Sequence, residues 1–71
     1  MRTHFYNAKV NGIWCEITVK TLSGRGNKPA AVKEFKKHDA KITDKDVYSA
    51  INAPENCPIS FNKWLAEIET K

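Results

Sequence analysis

Asn11-Gly12, set between two runs of alternating residues at 5–10 and 13–19, constrains this chain more than any other feature. A two-residue Asn-Gly loop favours a type I′ turn, whose central residues both need positive φ and whose twist matches the flanking strands. The turn also sets the register. Residues whose numbers sum to 23 face each other, so Val10 meets Ile13, Ala8 meets Cys15, Tyr6 meets Ile17 and His4 meets Val19 on one apolar face. The opposite face pairs Lys9 with Trp14, Asn7 with Glu16, Phe5 with Thr18 and Thr3 with Lys20, and is polar apart from Phe5 and Trp14. The apolar face is expected to form the core, with strands over about 3–10 and 13–22.

A lone hairpin is only marginally stable, so that face needs a cover. Ser23-Gly24-Arg25-Gly26-Asn27 ends the second strand, and Pro29 suits the first turn of a helix, which predicts a helix over about 29–38. Ala31, Val32 and Phe35 share one side of it; Lys33, Lys36 and Lys37 gather on a neighbouring one. Thr43 with Asp46 reads as a capping box and Ile42 with Val47 as a hydrophobic staple, predicting a second helix over 43–53 that ends before Pro54. Ser60 is an N-cap candidate, and Phe61, Trp64, Leu65 and Ile68 follow at i, i+3, i+4 and i+7, predicting a third helix over 60–69. The expected fold is therefore α+β: one domain over 1–71, an N-terminal antiparallel hairpin followed by three short helices, with both hairpin strands left as edges.

Composition sets the class. With 71 residues, 41% hydrophobic and 28% charged, the chain is one globular domain near the lower size limit for a self-sufficient core. Met1-Arg2-Thr3-His4 leads into alternation rather than an apolar segment, and no run approaches the ~20 apolar residues of a membrane span. Only Cys15 and Cys57 occur, whereas a small secreted domain usually carries several disulfides, so a reducing, cytoplasmic setting is expected.

The net charge of +4 is concentrated. Arg25, Lys28, Lys33, Lys36, Lys37, Lys41 and Lys45 stand against Glu34, Asp39 and Asp44, so the window 25–45 holds seven cations and three anions and accounts for the whole excess. Such a segment suits an anionic partner.

No motif supports catalysis. His4, Cys15, His38 and Cys57 are zinc-type ligands without the close pairs that mark a zinc site, and His4 and Cys15 lie about 13 Å apart across the hairpin at ~3.4 Å per residue. A Cys-His nucleophile would need an orienting group and an oxyanion turn, and neither is marked. Gly24-Arg25-Gly26-Asn27-Lys28 precedes a helix start but has Pro29 where a dinucleotide fingerprint needs its third glycine. Neither metal nor cofactor is expected. Asp46-Val47-Tyr48-Ser49-Ala50-Ile51-Asn52 resembles the recognition helix of lactose-repressor-type DNA-binding domains over seven residues, with His38-Asp39-Ala40-Lys41-Ile42 where such a turn has its glycine. That resemblance implies a helix-turn-helix across 29–53.

The expectation is a non-enzymatic binding protein that meets nucleic acid through Arg25, Lys28, Lys33, Lys36, Lys37, Lys41 and Lys45, with Asn27, Tyr48, Ser49 and Asn52 as candidates for selective contacts. The alternative is a protein-binding modulator or inhibitor of a larger enzyme or complex, by analogy with phage and mobile-element accessory proteins. Its interface would be anchored by Trp14 and Phe5 beside Lys9. A third route is homodimerisation by edge-strand pairing.

Overall fold

The hairpin forms in the expected register. In the structure, a computed structural model that describes residues 2–22, 24–49 and 63–70, β1 (Arg2–Val10) and β2 (Ile13–Thr21) pair antiparallel from Arg2–Thr21 to Val10–Ile13. The turn between them takes φ of +49° at Asn11 and +84° at Gly12. The apolar face is the core face: Tyr6, Ala8, Val10, Cys15, Ile17 and Val19 are all buried there. Ile13, at the tip, stays 58% exposed, because the cover does not extend that far.

That cover is α1 (Lys28–His38), which packs Ala31, Val32 and Phe35 onto both hairpin strands. Its start is local chemistry. The Asn27 side chain accepts the Ala30 N–H at 3.3 Å, and Pro29 sits in the first turn, where its missing N–H costs nothing. Its end is tied back to the hairpin, since the Asp39 carboxylate accepts the N–H of Asn11 at 3.2 Å and that of Lys41 at 3.1 Å.

The second expected helix is not there. Residues Asp44–Asp46 form one 3-10 turn, and Tyr48–Ser49 then forms β3, antiparallel to β1 through Asn7–Tyr48 and Tyr6–Ser49. Its start signals are real: the Asp46 carboxylate accepts both the N–H and the hydroxyl of Thr43 at 2.9 Å, and Ile42 and Val47 are both buried in the core. A cap satisfies one turn, but only packing can extend it. Here the outer edge of β1 offers backbone hydrogen bonds that Tyr48 and Ser49 take instead. The recognition helix implied by the resemblance, and with it a helix-turn-helix, is thereby excluded at Tyr48–Ser49; 50–53 lies outside the described residues.

The third expected helix is corrected as well. Lys63–Glu69 is a strand, β4, parallel to β2. Glu16 faces Trp64 and Ile17 faces Ala66, so Leu65 is an extra residue in a bulge. The bulge lets Leu65, Ala66 and Ile68 all pack against the core cluster. An apolar pattern of 64, 65 and 68 therefore arises from a kinked strand, although it has the spacing of a helix. Ser60 and Phe61 lie outside the described residues.

The sheet runs β3-β1-β2-β4. Neither hairpin strand is left as a wholly free edge, contrary to expectation: β4 pairs along β2 from Cys15 to Lys20, and β3 pairs with β1 at Tyr6 and Asn7. Parallel pairing of β2 with β4 needs a crossover, and α1 lies within it. Among the described residues no helix is long and apolar enough to cross a membrane.

Candidate functional site

The sheet face away from α1 carries the aromatics. Register places Phe5, Trp14, Tyr48 and Trp64 there, four of the chain's seven aromatic residues, while Tyr6 and Phe35 are in the core. Between them lie Asn7, fully buried, and Thr18, whose hydroxyl accepts the Trp64 indole N–H at 3.4 Å. Trp64 remains 58% exposed and Phe5 44%.

At the β3 side of this face the Trp14 and Tyr48 rings meet at a centroid separation of 6.3 Å and an interplanar angle of 52°. Such a tilted contact is a favourable aromatic geometry. Both rings line a cleft of about 390 Å³ together with Lys9, Lys41, Asp39, Asp46 and the buried Ile42. The two carboxylates there are already engaged, Asp39 by the Asn11 and Lys41 N–H groups and Asp46 by Thr43. The Thr43 N–H, then its hydroxyl, holds the Asp46 carboxyl below its ordinary value, so it stays ionised as an acceptor. Lys9 and Lys41 have no ion-pair partner among the described residues. The cleft therefore offers a ligand π-surface and two uncommitted ammonium groups.

A second cleft, of about 330 Å³, lies at the other end of β1, where Thr3, His4, Phe5 and Tyr6 meet Gly24, Arg25 and Ser49. Its wall is fixed by the Asn27 N–H donating to the Tyr6 hydroxyl at 3.1 Å and by a 3.0 Å bond between His4 Nε2 and Thr21 Oγ1.

The structure divides the cationic segment. Lys33, Lys36 and Lys37 are exposed on the outer side of α1, with Lys37 bonded to Glu34 at 3.2 Å. Lys28 reaches Asp44 at 3.9 Å, Lys45 is exposed on the 3-10 turn, Lys41 borders the first cleft and Arg25 the second. Of the selective-contact candidates, Tyr48 and Trp14 share a cleft, and Phe5 and Ser49 share the other. Asn27 is the helix cap, and Asn52 lies outside the described residues. Sequence reasoning missed how Lys9 and Lys41 come together. They are far apart in the chain, and only the loop from Asp39 to Val47, wrapping the hairpin tip, joins them.

Comparison with protein-family models, with curated proteins and with solved structures finds no match. Among the described residues no three of His, Cys, Asp and Glu converge as metal ligands. Cys15 is buried, its thiol donates to the Ile13 carbonyl at 3.4 Å, and burial pushes its pKa up, which disfavours the thiolate a nucleophile needs. Cys57 lies outside the described residues.

Glu16, between Asn7 and Trp64, has its carboxyl pKa raised by burial. A carboxyl raised above its unfolded value contributes nothing to the pH dependence below that value, and stability falls as the pH rises through it. At neutral pH the charge is thus a small liability. Glu16→Gln is expected to raise Tm at pH 7 by about 1–2 °C, solvent screening keeping the gain small, and to leave Tm unchanged at pH 3. Thermal melts at the two pH values check this, and a loss of Tm at pH 7 would mean the carboxylate has a stabilising partner.

Proposed function

We propose that this is a non-enzymatic nucleic-acid-binding domain in which surface lysines set affinity through phosphates. The observation that carries the reading is the state of those lysines. Among the described residues Lys9, Lys33, Lys36, Lys41 and Lys45 have no carboxylate within ion-pair distance, so the excess positive charge is not consumed by the fold. Surface cations used only for solubility are commonly interleaved with acids; here the outer side of α1 carries Lys33 and Lys36 uncompensated. A buried free thiol at Cys15 suits the reducing cytoplasmic compartment that such a role implies.

Each phosphate neutralised releases condensed counterion, so log affinity should fall linearly with log salt. For four to six engaged lysines the expected slope is about −3 to −5. Fluorescence polarisation with labelled oligonucleotides between 25 and 200 mM salt, roughly the range over which counterion release is read, measures it. Absence of binding at the lowest salt, or a flat profile, would exclude the reading.

A second reading, a protein-binding modulator or inhibitor, draws on Trp64 of β4, 58% exposed, and Leu22 just past β2, 68% exposed. Exposed aromatics commonly anchor interfaces. Stoichiometric co-purification of one protein after nuclease treatment, lost with Trp64→Ala, would favour it.

A further inference from the structure

Resting on the nucleic-acid reading above, we infer that the ligand is single-stranded and that one of its bases seats against Trp14 and Tyr48, with the adjoining phosphates on Lys9 and Lys41. A base inside a duplex has both π-faces covered by its neighbours, so an aromatic wall gains nothing from it; an unstacked base offers a face to any ring. The two rings are in tilted contact, at 52° and 6.3 Å, so a base stacks on the outer face of one of them rather than between them. The space, about 390 Å³, is at the small end of ligand pockets and suits one nucleotide.

Charge then selects among planar ligands. The bordering acids, Asp39 and Asp46, remain anionic but are bonded to backbone N–H groups and to Thr43, and neither ion-pairs with Lys9 or Lys41 among the described residues. The lining balances two lysines against two aspartates, and the two unpaired ammonium groups are the points at which phosphates beside a stacked base are held. Tyr48 and Ser49 are neighbours on β3 and open into different clefts, so a strand leaving Tyr48 along this edge reaches Phe5 and Arg25, a second ring beside a second cation. The cations on α1 face the other way and serve general attraction rather than seating.

The test uses the full chain, a labelled 12-nucleotide single strand and the matching 12-base-pair duplex. Trp64→Phe leaves Trp14 as the one tryptophan, so its fluorescence reports on the cleft. The expected results are tighter binding of the single strand than of the duplex, quenching of Trp14 by the single strand, and a roughly 5- to 100-fold loss of single-strand affinity in Trp14→Ala and Tyr48→Ala with duplex binding unchanged. Lys41→Ala, at an exposed position that cannot unfold the domain, should weaken single-strand binding and flatten its salt slope by about one unit. Equal binding of both oligonucleotides with Trp14 unquenched would overturn this inference and leave nucleic-acid binding standing. Binding of neither would overturn both. Quenching of Trp14 by a purified protein partner, with oligonucleotides inert, would assign the cleft to a peptide and likewise overturn the proposal.

Discussion

Phe35→Ala is expected to lower the urea midpoint by roughly a third or more, up to complete unfolding without denaturant. Phe35 is fully buried at the centre of α1, packed in one cluster with Ile17, Val19 and Val47. Removing a buried phenyl ring costs about 3–5 kcal/mol, the lost transfer energy plus the cavity left behind. A chain of 71 residues has roughly 4–10 kcal/mol in all, because a domain this small buries only about 60% of its unfolded surface. The substitution therefore removes from about a third to all of the total. Phe35→Leu, which keeps most of the volume, should remain folded at a cost of about 1–1.5 kcal/mol. Urea denaturation followed by far-ultraviolet circular dichroism separates these outcomes. A wild-type midpoint for Phe35→Ala would mean that α1 does not cover the sheet.

Gly26→Ala should cost about 2–3 kcal/mol, well beyond the cost of a strained φ alone. Gly26 takes φ of +74°, and a Cβ there would stand 2.5 Å from the Tyr6 hydroxyl and 3.2 Å from His4 Cγ and Nδ1. Neither neighbour yields easily. Tyr6 is buried and its hydroxyl accepts the N–H of Asn27, the residue whose side chain caps α1, while His4 is held by Thr21. Displacing Tyr6 thus loosens the cap and the wall of the second cleft together. Gly12→Ala is the natural comparison: φ is +84°, but a Cβ there meets nothing within 4 Å, so only backbone strain of about 1 kcal/mol is added. Chemical denaturation of both variants measures the difference. Equal losses would show that the close approach at Gly26 is absent.

The contrast between these glycines shows where sequence reading stops. Gly12 is legible because Asn-Gly between alternating runs specifies its own turn. Gly26 sits in a stretch that reads as a plain connection, and its requirement comes from Tyr6 and His4, both about twenty residues earlier. The candidate site follows the same rule. The basic window was visible as composition, but Lys9 and Lys41 flank one aromatic pair only because the loop after α1 wraps the hairpin tip. Trp14, an oddity of alternation on the polar face, finds its partner in Tyr48, a residue expected on a helix and found on an edge strand.

By itself the sequence determined the hairpin, its register from Arg2–Thr21 to Val10–Ile13, and α1 with Pro29 in its first turn, because each depends on groups a few residues apart or on strict two-residue alternation, whereas the Asn27 cap reads there only as a turn and a contact candidate. Tertiary structure decided the rest. Residues 63–69 have helical spacing but form β4 because β2 has an open edge whose backbone groups need partners, and because a bulge at Leu65 lets Leu65, Ala66 and Ile68 pack on the core while Trp64 stays on the opposite face. The stretch after Thr43 has a true helix start but gives way after one turn, since Tyr48 and Ser49 bond to β1. In both places local propensity competed with an unpaired strand edge in a core too small to leave that edge bare, and the edge won.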